Sequence, residues 1–424
     1  MLVALRAAYL PSLIRVKRNI MNPSKHEREF SESIQALCHA FEGMDTISLT
    51  LLKENKIDSL PESLTAALSN PVGFPPLSSA IVPGDQIAIA LDSKLPALEE
   101  ISSLLVDAFI SLGAGEITLL LDRDLPQGNH DRLLSAISNR ARVERHVTER
   151  RSEFRYLGPD VSGDPVYLNR WLVDADLVLP VVSQRPVLPL RPQLSDLTGI
   201  FPTFADAEAR QRHHLTVQKD QSENTPPKEI SDPVETSDPE AMTGTAEEPA
   251  WLLGVQLVLS VASNQAGEIA GIQCCSLESL KSLPSENHPS TTCDFVTAVL
   301  DGPDYHQNWG NVASAAQAAA TCVSEGGTIV IWTDLAEENQ VEGQATHEDS
   351  GSNSDEDFQS WNESEVPFML LESLSEDYRI IIRSRLPAEE VERAGLGTLE
   401  TTEELTRLAM AFSKRGLLRC AHLH

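Results

Sequence analysis

From about residue 85 the chain alternates short apolar runs with stretches in which apolar residues recur every three or four positions. GDQIAIALD, bounded by Pro83-Gly84, predicts a strand, and EITLLLD predicts the next one. Between them Ile101, Leu104, Leu105, Ala108, Phe109 and Leu112 predict a helix that Gly113 stops. HDRLLSAISNR predicts a second helix, EFRYLGPDVSGDPVYLN a hairpin turning at Ser162-Gly163-Asp164, RWLVDA a short helix and DLVLPVV a strand. Strand–helix–strand alternation means a parallel sheet covered by helices.

The pattern breaks at residues 220–249, which hold nine acidic residues, five prolines and one lysine without apolar periodicity. That composition predicts a disordered, self-repelling linker. Alternation then resumes. WLLGVQLVLSVA and IAGIQC predict a hairpin, CDFVTAVLDG a strand, NVASAAQAAATCV a small-residue helix packed closely on the sheet, and TIVIWTD a further strand. A second insertion, residues 334–365, carries eleven acidic residues and no Lys or Arg. YRIIIRS predicts a strand, and TTEELTRLAMAFSKRG a helix that opens on a Thr401-x-x-Glu404 capping box and stops at Gly416. The expected class is α/β: two α/β domains with mainly parallel sheets flanked by helices, a cleft between them, and two acidic disordered insertions. The expected limits are 41–219 and 250–424, joined by the linker 220–249, with residues 1–40 as an N-terminal extension.

Length supports this division, because 424 residues exceed one ordinary domain. A net charge of −30 argues against nucleic acid or an anionic membrane as partner, since the molecule's field repels polyanions. The cysteines at 38, 274, 275, 293, 322 and 420 form no C-x-x-C pair, so they read as mostly buried thiols of a reducing, cytoplasmic compartment. The apolar run Leu2 to Ile14 is broken by Arg6 and Pro11 and is too short to span a bilayer. Its charge follows the run, unlike a signal peptide, which leaves a start at Met21 or an amphipathic surface helix as its readings. No protein partner is specified.

No G-x-G-x-x-G follows a strand, and neither a P-loop nor a G-x-S-x-G elbow is present. His213 and His214 point to different sides of a helix, so both cannot easily grip one ion. Residue type alone reads them as polar residues near a helix end.

A collinear series of local signatures carries more. LDSKLP ends the first strand and LLDRDLP the second; DADLVLPVVS runs into GIFPTFADAEARQRHH; GPDYHQNWGNVASAAQAAATCVSEGGTIVIW and YRIIIRSRLPAEEVERAGL follow. In this order and spacing the chain resembles the nickel-dependent lactate racemases over roughly residues 70–216 and 250–412. The resemblance implies a two-domain fold with its site in the cleft and a nickel pincer nucleotide tethered to a lysine. It also implies hydride transfer on a 2-hydroxy acid assisted by two histidines.

Residue by residue, Asp92 and Pro96 match the family's first motif, but Leu95 stands at its arginine, with Lys94 adjacent as a partial phosphate contact. Asp124 occupies a catalytic histidine position, Leu188 the other, and Thr198 the tether lysine. Counting forward from Pro202, Glu208 matches and His214 falls on the nickel ligand. In the second domain Gln307 and Asn308 are kept, Asn311 and Ser314 fill the remaining substrate-binding positions with Ser314 at the family's lysine, and His306 is new. His306 reads either as a compensating acid/base or as a solvated loop residue. Both lysines, the arginine and both acid/base histidines are absent together, and losing one positioned acid/base alone forfeits about 10²–10⁴ in rate.

The expectation is therefore a lactate racemase-like protein that has lost the chemistry. It would bind a small 2-hydroxy acid, a nucleotide-like ligand or a protein. The alternative is an active racemase or epimerase that holds its nickel cofactor non-covalently through His214 and moves protons with His306 and Asp124. A third reading makes the acidic insertions a dock for a basic partner.

Overall fold

The computed structural model describes residues 25–423 apart from 43, 45, 50–54, 124, 126, 149, 161–162, 185–196, 214–247, 265–266, 282–291, 303 and 337–365. Nearly all of both acidic insertions, 220–247 and 337–365, lies outside the described residues, as do His214, Asp124 and Leu188.

Described strands run in chain order through β1 (Thr46–Ser48), β2 (Ile87–Leu91), β3 (Ile117–Leu121), β4 (Arg142–Arg145), β5 (Phe154–Pro159), β6 (Pro165–Asn169) and β7 (Leu177–Ser183). They continue through β8 (Leu257–Ser263), β9 (Ile269–Ser276), β10 (Cys293–Val299), β11 (Val323–Trp332), β12 (Arg379–Arg383), β13 (Gly397–Thr398) and β14 (Arg415–Leu418). They form two six-stranded sheets, ordered β4-β3-β2-β7-β8-β9 and β1-β14-β10-β11-β12-β13, and the hairpin β5–β6. The second sheet is parallel throughout, and the first is parallel up to the antiparallel edge strand β9.

Every residue of β2, β3 and β8 is buried, as a strand covered on both faces requires. The helix Leu98–Leu112 turns Ile101, Leu105 and Phe109 onto the first sheet, and Gly113 ends it in the left-handed region at φ 92. On the second sheet the helix Trp309–Ala320 buries Ala313, Ala315, Ala316, Ala318 and Ala319, so small side chains let it approach closely. The other face is covered by the helix Lys25–Glu42, whose Phe30, Ile34, Leu37 and Phe41 pack against Phe295, Val330 and Trp332. Part of the expected N-terminal extension is thus core.

Strand exchange departs from simple chain order. The hairpin β8–β9, C-terminal to residue 250, completes the first sheet by pairing β8 with β7, which otherwise would be an open edge. In return β1 joins the second sheet beside β14. The last helix begins at the expected capping box but ends at Ala409, and Gly416 is no helix stop. It lies inside β14, where a Cβ would come within 2.3 Å of Leu49 Cδ1, so close packing between neighbouring strands excludes a side chain. Strand β11 also starts earlier than expected, at Val323, and takes in Gly326-Gly327 alongside an irregularity in β10.

Five of the six cysteines are buried and all are free thiols. Among the described residues, no helix is long and apolar enough to cross a membrane.

Candidate functional site

The carboxyl ends of the two parallel sheets meet, and the loops leaving β2, β7, β10 and β14 supply the polar groups between them. Asp92 follows β2 and is 6% exposed. Its Oδ1 accepts from the Lys94 backbone N–H at 2.9 Å and its Oδ2 from the Ser183 N–H at 3.2 Å, which fixes the loop. That loop aims Lys94 across the seam. Its Nζ donates to Ser314 Oγ at 3.2 Å and to the His422 carbonyl at 3.1 Å, so one ammonium joins two groups of the second domain.

His306 ends a short turn after β10, and His422 lies in the turn that follows β14. Their Nδ1 and Nε2 atoms are 3.1 Å apart, and the rings meet edge to face at 4.9 Å. Burial, then the charge of Lys94, lowers the His306 pKa from 6.5 to about 4; a backbone hydrogen bond at Ser93 and the Asp92 carboxylate act the other way. His306 is 5% exposed, so it is no solvated loop residue. Gly302 makes room for the pair: its φ is 123, and a Cβ there would sit 2.7 Å from His306 Nδ1.

The remaining polar residues of this loop bond to the protein itself. Gln307, 1% exposed, donates to the Leu300 carbonyl at 3.1 Å and accepts from Thr333 Oγ1 at 2.7 Å and the Asp334 N–H at 2.8 Å. Asn308 caps the helix Trp309–Ala320 by accepting from the Asn311 N–H at 2.9 Å, and Asn311 donates to the His306 carbonyl at 2.9 Å. Thr198 is fully buried, and its hydroxyl accepts from the Ile200 N–H at 3.2 Å. Leu95, at the family's arginine position, is 1% exposed.

Of the sequence-derived candidates, the structure brings Asp92, Lys94, His306 and Ser314 together, with Asn311, Gln307 and Asn308 in the adjoining loop and helix start. His213 sits edge to face with Phe201 at 5.4 Å. His422 was not foreseen; the signal was RCAHLH, which carries its meaning only once the preceding residues are seen as a central strand. No group of three or more potential metal ligands occurs among the described residues.

A further buried histidine organises the first domain. His146 contacts the Ala205 carbonyl through Nε2 at 3.2 Å, and Asn169 Nδ2 lies 3.1 Å from its Nδ1. Phe154 and Phe204 pack edge-on against its ring. Burial, then the charges of Arg210 and Arg123, lowers its pKa to about 3.

Comparison with known proteins agrees with this architecture. The lactate racemase N-terminal domain family matches residues 42–182. The structure of the lactate racemase apoprotein from Thermoanaerobacterium thermosaccharolyticum is similar over 89% of this chain and 94% of its own, with a TM-score of 0.62 at 13% identity. A Thermotoga maritima protein is similar over 85% of this chain and 97% of its own, with a TM-score of 0.58 at 12% identity. At such identities these likenesses speak to the fold. No curated protein sequence matches the chain. Residues 42–182 thus match the lactate racemase N-terminal domain family, and the two-domain fold of a lactate racemase is shared over most of the chain.

Proposed function

We propose that this protein has kept the racemase fold but not the racemase reaction, and that its interdomain seam binds a small organic acid without turning it over. Thr198 carries the reading. At the position where the resemblance calls for a tether lysine, a hydroxyl with no amine is fully buried and accepts a backbone hydrogen bond. Buried Leu95 offers a phosphate no donor, and both Asp92 oxygens already accept backbone N–H groups. The described residues therefore do not fit a tethered pincer nucleotide.

What the seam does offer is a cation in a sheltered place. Lys94 is held between Ser314 and the His422 carbonyl, both neutral acceptors that a ligand carboxylate would outmatch as partners for an ammonium. The His306–His422 contact favours a second reading, in which the imidazole pair moves a proton and the protein is an active isomerase using His214 as metal ligand and Asp124 as an acid/base.

One experiment separates them: titrate the purified protein with each lactate enantiomer by calorimetry, then analyse the same samples by chiral chromatography. Binding that is weakened at least tenfold in Lys94→Met, with both enantiomers recovered unchanged, is the expected result. Interconversion of the enantiomers establishes the second reading instead, and no binding of either removes the ligand role.

A further inference from the structure

Chain order within the second sheet marks a crevice at the ends of β10 and β14, on the side covered by the helix Lys25–Glu42. From β10 the chain proceeds outward to β11, β12 and β13, then returns to the other side of β10 as β14. The β10/β14 boundary is thus a topological switch point, the place where open α/β sheets bind ligands beyond their strand ends. The residues that leave these two strands there are Asp301 and Arg419. A cavity of about 580 Å³ opens at this point, roofed by the helix Lys25–Glu42.

Its lining has a specific charge pattern. Arg419 grips Asp301 in a two-pronged pair, Nε to Oδ2 at 2.7 Å and Nη2 to Oδ1 at 2.8 Å. Asp301 also accepts from the Cys420 N–H at 3.1 Å, so the pair is built into the sheet end. Arg419 Nη1 turns to Cys38 Sγ at 3.5 Å, a weak acceptor on the roofing helix. One turn further along that helix lies Glu42, whose side chain is 76% exposed and stands 3.5 Å from His39 Nδ1. Phe30 and Ile34 give the cavity an apolar side.

A simple anion would meet Asp301 and Glu42 as well as Arg419, and a simple cation would meet the guanidinium. A molecule with both charges a few ångströms apart and an apolar side chain matches all three features. We infer that this cavity binds a small apolar α-amino acid, its carboxylate on Arg419 Nη1, its ammonium on Glu42 and its side chain against Phe30 and Ile34. The ligand's carboxylate replaces a thiol as partner of a charged donor, which is a stronger hydrogen bond.

The test is calorimetric titration of the full chain with L-leucine, with 4-methylpentanoate, which lacks the ammonium, and with 3-methylbutylamine, which lacks the carboxylate. L-Leucine is expected to bind saturably and each truncated analogue at least tenfold more weakly. Glu42→Gln, a substitution at an exposed position, should weaken leucine severalfold and leave 4-methylpentanoate unaffected, while Gln35→Trp should fill the cavity and abolish leucine binding. No saturable leucine binding overturns the proposal. So do truncated analogues that bind as tightly as leucine, or leucine binding unchanged in both variants.

Discussion

Acid should unfold this protein earlier than its carboxylates alone would dictate, because two histidines are buried in neutral form. His146 has a pKa of about 3 and His306 of about 4, against 6.5 for the unfolded chain. Both folded values are depressed, so the unfolded state takes up each proton first. Their contribution to stability is complete above pH 6.5, declines as the pH falls, and is exhausted below the folded values. In the window from pH 6.5 to 5, where few carboxylates titrate, each histidine removes about 2 kcal/mol, since one pH unit corresponds to about 1.4 kcal/mol. Together that is a large part of a net stability of about 5–15 kcal/mol. Asp206, pushed up by burial, acts in the opposite sense as its own range is approached. Urea unfolding followed by tryptophan fluorescence between pH 7.5 and 5 reads the slope. His146→Gln preserves a donor for the Ala205 carbonyl and an acceptor for Asn169 but cannot titrate, so it should roughly halve the slope. Stability that is flat between pH 7 and 5, or an unaltered slope in His146→Gln, would refute the reasoning.

Three further predictions concern the seam and the sheet ends. Lys94→Met removes two hydrogen bonds across the domains and a charge that depresses His306; it should lower stability by about 1–3 kcal/mol and raise the His306 pKa in an NMR titration. Gln307→Leu leaves the Asp334 N–H, the Thr333 hydroxyl and the Leu300 carbonyl without their buried partner, a loss of about 2–4 kcal/mol by urea midpoint. Gly416→Ala drives a methyl group into Leu49 and should destabilise by about 1–3 kcal/mol, whereas Gly163→Ala, with open space around it, shows only the smaller penalty of its positive φ.

Legibility in the sequence followed how local each feature is. Strands β2, β3 and β7 announce themselves because a strand covered on both faces is a continuous apolar run. The hairpin β8–β9 was equally legible, but the sheet it joins was not, since periodicity carries no information about partners in space. Strand β14 was hidden: RGLL continues a helix-like run from the capping box, and only its place between β1 and β10 makes it a strand. Losing β14 also lost His422, which lies beyond it in the chain and beside His306 in the fold. Lys94 and Ser314 were each singled out as candidates, yet their contact spans 220 positions and exists only because the two sheets meet. Asn308 and Gln307 looked like ligand-binding groups. Asn308, placed just ahead of an Ala-rich helix, also fits a helix cap, which is what it forms.

Nickel content of the purified full chain, produced together with the enzymes that make the pincer nucleotide, tests the central claim most directly. The expected result is far less than one nickel per chain, with no difference between the native protein and His214→Ala. One nickel per chain that disappears in His214→Ala would contradict it, because the family's metal chemistry would then survive on a protein without its tether.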